Sequence, residues 1–184
     1  MIQQQTDALL VRFTVNGVTI ENVDAFKYLG RWVTVDDNDL MAVQENIKKA
    51  RARWGRVSRV LTREGANAKT MGKFYKTVVQ SVLLFGSETW VLSTQMLRML
   101  NSFHHRCARF LTGEFICRCE DDTWTHPETA RVLAKAGLDT IDNYISKRRR
   151  NLKNAILTRP VYHSCMESNP TPLNVNQIVW WEQK

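Results

Sequence analysis

Cysteines are few in this chain, and long apolar runs are absent. Four cysteines among 184 residues are too few and too unevenly spaced for the disulfide framework of a small secreted protein. We therefore expect reduced thiols in an intracellular protein, nuclear or cytoplasmic. The longest apolar run, 78–86, includes Gln80 and Ser81 and is far shorter than the roughly eighteen residues that a membrane span requires, so no membrane span is predicted.

Acidic residues are also under-represented. The chain has 18 Asp and Glu against 26 Lys and Arg, which gives a formal net charge of +8 and a pI near 9.6. Twelve of the basic residues lie in two short segments, 48–63 and 147–153. Clustered positive charge favours a phosphate backbone as the partner over a general role in solubility. RNA, DNA and an RNA–DNA hybrid all fit this pattern.

Segment 43–61 has the pattern of a helix with two different faces. Apolar residues recur there at steps of three and four, namely Val43, Ile47, Ala50, Trp54, Val57 and Leu61. The other side carries Lys48, Lys49, Arg51, Arg53, Arg56, Arg59 and Arg63. No acidic residue falls between Glu45 and Glu64, so like charges lie one turn apart, each pair costing about 0.2–0.5 kcal/mol. A solvated surface is the ordinary explanation of such a face, and a polyanion that neutralises it is the alternative.

The remaining pattern predicts a mainly α-helical fold with a small N-terminal antiparallel β-sheet. Alternating apolar residues on both sides of Asn16-Gly17 predict a hairpin, and a further strand is expected over 26–35. Later helices are expected over about 68–85, 93–113, 127–136 and 138–156, and 114–126 should be irregular. Their apolar stripes include Phe85, Phe110, Leu152 and Ile156. We expect four segments: a small sheet in 1–40, a helical bundle in 41–113, a helical segment with a basic helix in 114–159, and an extended tail in 160–184.

Two clusters of polar residues have the composition of chemical sites. Asp36, Asp37 and Asp39 precede the basic helix, where acids cap free N–H groups and complement the helix dipole. The alternative, a polymerase metal pair at Asp36-Asp37, needs a further acid in a strand, which the sequence lacks. The second cluster comprises His104, His105, Cys107, Cys117, Cys119 and His126. Its spacing is tighter than that of usual zinc ligands, and nothing positions a base for a cysteine nucleophile. We assign no metal, cofactor or catalytic residue.

Several short motifs follow one another in an order that resembles a known family. They are Phe26-Lys27-Tyr28-Leu29-Gly30, Tyr75-x-x-Val78, Leu83-Leu84-Phe85-Gly86-Ser87-Glu88-Thr89-Trp90, Phe103-x-x-x-Cys107 with Arg109 and Gly113, Ala136-Gly137-Leu138, Tyr144-Ile145 and Arg148-Arg149. Over roughly residues 12–157, this order resembles the region that follows the catalytic palm in reverse transcriptases of non-LTR (LINE-type) retrotransposons. The block from Leu83 to Trp90 is the most specific, with Phe85 where the family often has Tyr.

This resemblance implies a primer-grip hairpin followed by a thumb-like helical bundle (α+β) that tracks a template–primer duplex. The primer-grip-like residues are Phe26, Tyr28, Leu29 and Gly30. In the family, the catalytic Asp pair precedes this hairpin, so Asp36-Asp37 lies on the wrong side of it. We find no palm in the sequence, and we expect no polymerase activity from this chain alone.

We therefore expect a non-catalytic, reverse-transcriptase-derived domain that binds nucleic acid, as template–primer or RNA, through its phosphates. The candidate contacts are Lys48, Lys49, Arg51, Arg53, Arg56, Arg59, Arg63, Lys69, Lys73, Lys76, Lys147, Arg148, Arg149 and Arg150. One alternative is a retroelement-derived protein-interaction or structural subunit of a larger assembly. Another is a thumb that acts in trans with a separate palm. Trp180 and Trp181 in the tail would suit a protein partner.

Overall fold

The computed structural model describes residues 13–36, 38–119 and 121–158. Within these ranges the chain is mainly α-helical, with small antiparallel sheets, so the predicted fold class is confirmed. The chain divides into two compact units, one ending at Asn38 and the other beginning at Asp39. Every helix among the described residues is too short or too polar to cross a lipid bilayer.

The N-terminal unit contains two β-hairpins. Strand β1 (Thr14–Val15) pairs with β2 (Val18–Thr19), and β3 (Ala25–Tyr28) pairs with β4 (Arg31–Thr34). Both turns have two residues with positive φ, 51° and 80° at Asn16 and Gly17, and 46° and 88° at Leu29 and Gly30, as a type I′ turn requires. The expected small antiparallel sheet is present among the described residues as two separate two-stranded sheets. The single strand expected over 26–35 is wrong, because Leu29 and Gly30 form a turn within it.

The first helix of the second unit, α1 (Leu40–Arg63), follows the predicted pattern closely. Its apolar face is buried at Val43, Ile47, Ala50 and Leu61, and Trp54 packs against the same core. Asn46 is also buried on this face, and its amide donates to the Phe85 carbonyl oxygen at 2.9 Å. The helix therefore has one face fixed in the core and the other turned to solvent.

The second predicted helix is divided into three parts. Helix α2 (Ala68–Phe74) continues as a π-helical turn (Tyr75–Gln80) and ends as α3 (Ser81–Leu83). A π turn contains more residues than an α turn, so it advances the buried stripe by about one position. Val79 and Leu83 are fully buried, whereas Phe85, which we expected inside, is 51% exposed.

Helix α4 (Thr94–Thr112) begins and ends as its sequence predicts. The Ser93 hydroxyl accepts from the Met96 N–H at 3.3 Å, and Gly113 ends the helix with φ at +71°. Met96, Leu100, Phe103 and Cys107 are buried, but Phe110 remains 38% exposed. Its ring packs nearly perpendicular to the ring of Trp54 on α1, at a centroid distance of 5.4 Å.

The C-terminal part of the unit contains α5 (Thr129–Ala136) and α6 (Ile141–Thr158). Leu138, Ile141 and Ile145 complete the core, whereas Leu152, predicted to be buried, is 37% exposed. Leu152 lies beyond the part of α6 that packs on the core.

Residues 114–126, expected to be irregular, contain a short hairpin. Strand β5 (Cys117–Arg118) pairs with β6 (Trp124–Thr125). Strands of two residues are too short to show the alternation of side chains by which a strand is recognised in a sequence.

Candidate nucleic-acid interface

The basic face of α1 is open to solvent because the opposite face is fixed in the core. Of the seven basic residues predicted there, Lys49 is half-buried and the other six are exposed. The exposed six are Lys48, Arg51, Arg53, Arg56, Arg59 and Arg63. The helix thus holds a row of cations along a rigid axis, which suits a polyanion with regularly spaced charges.

Among the described residues, acidic side chains form ion pairs with the basic residues of α1 only at Lys48 and Arg63. Lys48 forms an ion pair with Glu45 at 3.6 Å, and Arg63 lies 3.5 Å from Glu64. Between them, no carboxylate of a described residue forms an ion pair with the central arginines, Arg51, Arg53, Arg56 and Arg59. The central part of the face is therefore the part with the strongest uncompensated positive charge.

One arginine of this row is oriented by the helix itself. The Arg59 Nε donates a hydrogen bond to the Gly55 carbonyl oxygen at 2.8 Å. Arg56, Arg59 and Arg63 line an open groove of about 380 Å³ together with Val60, which is 60% exposed. Guanidinium groups around a partly apolar floor can bind phosphate at the rim and contact sugar at the centre.

The second predicted contact line lies on α2 and the π turn. Lys69 and Lys73 are exposed, whereas Lys76 is half-buried. The Lys76 ammonium donates to the Gly137 carbonyl oxygen at 3.2 Å, at the C-terminal end of α5. A cation at that end stabilises the helix dipole, so Lys76 has a structural role beside any contact with phosphate.

Two of the four residues in the third predicted contact line, on α6, bind groups within the protein. Arg148 forms an ion pair with Glu88 at 2.7 Å, and an Arg149 guanidinium N–H donates to the Trp90 carbonyl oxygen at 2.6 Å. Both arginines are half-buried, and burial lowers the pKa of Arg149 from its ordinary value. Lys147 and Arg150 are exposed. Of this basic run, they are the two whose charges face solvent.

The partners of these arginines belong to the block from Leu83 to Trp90. Leu83, Leu84 and Ser87 are fully buried, and Gly86 has a φ of +77° immediately before a 3₁₀ turn (Ser87–Thr89). This turn presents Glu88 to Arg148, and the following Trp90 is buried and accepts from Arg149. The block follows α3 in the sequence and contacts α6 through Glu88 and Trp90, so its residues have a structural role.

The four primer-grip-like residues lie together on the hairpin of β3 and β4. Phe26 and Tyr28 are on β3, opposite Val33 and Arg31, and Leu29 and Gly30 form the turn. Phe26 is 50% exposed, Tyr28 62% and Leu29 81%. The hairpin therefore presents apolar side chains to solvent at its tip and along one strand.

The two described acids before α1, Asp36 and Asp39, bind backbone N–H groups outside the first turn of the helix. Asp39 occupies the N-cap position without a side-chain capping bond, and its buried carboxylate accepts from the Val91 N–H at 2.9 Å. Asp36 accepts from the Asn38 N–H at 3.2 Å, and its hydrogen bond with Thr34 lowers the pKa of the carboxyl group. The capping prediction is wrong for Asp39, because its carboxylate binds the backbone N–H of Val91 instead of an N–H group of the helix. Asp37 lies outside the described residues.

The histidine and cysteine cluster is dispersed. His104 is buried between Tyr75 and the Asp139 carbonyl oxygen, and burial raises the pKa of the Cys107 thiol to about 12. The Cys119 sulfur lies 2.8 Å from the Thr125 hydroxyl oxygen. In the part of the chain that the structure describes, no group of three His, Cys, Asp or Glu side chains is placed to hold a metal ion. Cys165, like Trp180 and Trp181, lies outside that part.

A larger open groove had no counterpart in the sequence interpretation. It has a volume of about 770 Å³ and lies between α6 and the segment from Gln80 to Thr89. One wall is a regular face of α6, and the other comes from a segment more than fifty positions earlier in the sequence, so no local pattern shows that the two walls meet. Comparison of the chain with protein-family models, curated protein sequences and solved structures finds no match.

Proposed function

We propose that this chain is a non-catalytic nucleic-acid-binding domain of reverse-transcriptase type that binds phosphates through α1. The observation that carries the proposal is the row of exposed arginines at the centre of α1, which no described carboxylate neutralises. Like charges one turn apart destabilise a free helix, and a bound polyanion removes that cost. The family resemblance supports the same conclusion, because it implies that this helix belongs to a thumb.

The expected binding is salt-dependent and has little base specificity. Phosphate contacts fix the position of a protein on nucleic acid without reading its sequence. If about five phosphates are neutralised on a duplex, the logarithm of the association constant should fall against the logarithm of salt concentration with a slope of roughly −4 to −5. Binding of the purified chain to labelled single-stranded RNA, DNA duplex and RNA–DNA hybrid, at about 50–200 mM salt, measures this slope. A preference for the hybrid supports the thumb assignment.

A pair of charge-matched variants tests whether α1 is the site. Arg56→Ala with Arg59→Ala removes two charges from the centre of the basic face, and Arg98→Ala with Arg106→Ala removes two from exposed positions on α4. We expect the α1 variant to weaken binding by about tenfold or more and to reduce the salt slope by about two. The α4 variant should bind nearly as well as the unmodified chain. Equal effects would show that net charge, not this face, determines binding, and no binding to any of the three probes would refute the function.

A protein partner is the second candidate, as part of a larger assembly or as a separate palm. The apolar residues Phe26, Tyr28 and Leu29 favour it, because they are at least half exposed on a two-stranded hairpin. Hairpins of this size have little stability alone and gain from a covering surface. A stoichiometric partner that survives nuclease treatment, and is lost in Phe26→Ser with Tyr28→Ser, would support this function. Retention by that variant would exclude the hairpin as the contact.

A further inference from the structure

Gly55 lies within α1, and nothing described in the protein explains why a glycine is there. Six of the eight glycines have positive φ angles, which favour glycine: Gly17, Gly30, Gly65, Gly86, Gly113 and Gly137. Gly72 has no room for a side chain, because a Cβ there would overlap the Ala136 carbonyl oxygen. Gly55 has neither property: its backbone is helical, and a Cβ built on it meets no heavy atom within 4 Å.

Glycine weakens a helix at such a position. It is the least favourable residue in a helix interior apart from proline, because its backbone loses the most freedom on folding. An alanine would fit at position 55 without contact and would favour the helix. Since no packing inside the described protein requires the missing side chain, the bare backbone points to close approach from outside.

The surroundings of Gly55 indicate what approaches. Arg51 and Arg59 lie one turn before and one turn after it, Arg56 follows it directly, and all three are exposed. The Arg59 side chain extends back along the helix, where its Nε donates to the Gly55 carbonyl oxygen at 2.8 Å. The guanidinium is thereby held beside the bare backbone. Next to it begins the groove lined by Arg56, Arg59 and Arg63.

We propose that Gly55 is the point at which the sugar–phosphate backbone of a bound nucleic acid comes closest to α1, with Arg51, Arg56 and Arg59 binding the phosphates around it. The inference rests on the proposed function and makes it more specific. A side chain at position 55 would hold the sugar–phosphate backbone away from the helix and lengthen the contacts with the flanking guanidinium groups. Gly55 positions the ligand by its lack of a side chain.

The test separates stability from binding. Gly55→Ala should raise the melting temperature of the free chain by about 2–4 °C, because alanine favours the helix and has open space. The same variant should raise the dissociation constant for the tightest of the three nucleic-acid probes by roughly fivefold, and Gly55→Leu by more, as charged hydrogen bonds are lengthened. Ser102→Ala, at an exposed position of α4, is the matched control: it also favours a helix but should leave binding unchanged.

The outcomes distinguish this proposal from the function on which it rests. If Gly55→Ala and Gly55→Leu bind as well as the unmodified chain while the Arg56 and Arg59 variant binds weakly, α1 remains the site and the role of Gly55 is refuted. A lower melting temperature for Gly55→Ala would show an internal structural role and overturn the proposal as well. If the unmodified chain binds none of the probes, both proposals fail.

Discussion

The Tyr75 hydroxyl and the His104 ring share a hydrogen bond of 2.9 Å inside the helical unit, where neither residue has exposed surface. On the other side of the ring, His104 Nε2 lies 2.9 Å from the Asp139 carbonyl oxygen. A carbonyl oxygen only accepts, so Nε2 carries the proton and Nδ1 accepts from Tyr75. One neutral imidazole thus joins the π turn, α4 and the segment before α6.

The protein should become less stable as the pH is lowered, because His104 is buried in its neutral form. Burial lowers the pKa of His104 to about 4, whereas the ordinary value is 6.5. Since the unfolded chain then binds more protons than the folded chain, stability is fully present above about pH 6.5 and is lost as pH falls towards about 4. The loss from this residue should reach about 3 kcal/mol, measured as the free energy of unfolding in urea across that range.

A His104→Gln variant isolates this contribution. Glutamine offers a donor and an acceptor but does not titrate. The free energy of unfolding of the variant should therefore depend less on pH between about 6.5 and 4. The carboxylates whose pKa values are lowered by other partners, Glu114 and Asp121 among them, remain in both proteins. Their shared contribution cancels in the comparison. Parallel pH profiles for the two proteins would exclude His104 as the source.

The parts of the fold that were predicted are those with local physical causes. The steps of three and four in α1 identify its buried face, and Ser93 and Gly113 mark both ends of α4. The π turn had no such signal, because Tyr75 and Val79 fit an ordinary helix until packing selects the phase. That change of phase explains why Phe85 is exposed rather than buried. Tertiary packing there overrides a correct helical pattern.

The candidate site shows the same limit. Exposed charge on α1 follows from periodicity alone, since the residues opposite the apolar stripe must face solvent. Arg148 and Arg149 look similar in sequence, but their partners Glu88 and Trp90 are 60 and 59 positions away. Their ion pair and hydrogen bond depend on how α6 meets the 3₁₀ turn, which no local pattern shows.

Two neighbouring arginines of α6 should therefore respond differently to alanine substitution. Arg149→Ala removes a charged, half-buried hydrogen bond to the Trp90 carbonyl oxygen, so we expect the free energy of unfolding to fall by about 1–3 kcal/mol. Arg150 is exposed, and Arg150→Ala should change stability by no more than about 0.5 kcal/mol. Urea denaturation monitored by circular dichroism measures both. Equal stabilities for the two variants would show that the Arg149 bond contributes nothing.

Gly72 should tolerate no side chain. A Cβ on Gly72 would overlap the backbone carbonyl of Ala136, so α2 and α5 must separate in Gly72→Ala. We expect a loss of about 3 kcal/mol in the free energy of unfolding, near the upper end for overpacking. Gly55→Ala is the matched control, because it makes the same chemical change in a helix with open space and should be stabilising. A gain of stability in both variants would show that α2 and α5 do not pack this closely at Gly72.

The tip of the second hairpin should become more stable when Leu29 is replaced by asparagine. Leu29 has a φ of +46° and is 81% exposed. Leucine disfavours this left-handed backbone conformation, and burial of its side chain does not offset the cost. Asparagine followed by glycine is the preferred pair for a type I′ turn, and Leu29→Asn should stabilise the hairpin by roughly 0.5–1 kcal/mol. Slower hydrogen exchange at the paired amides of Ala25–Tyr28 and Arg31–Thr34 measures the effect. Leu29→Ala is the control, since it removes the same apolar surface but keeps the unfavourable φ. If both variants slow exchange equally, the gain comes from loss of the apolar side chain rather than from relief of the backbone.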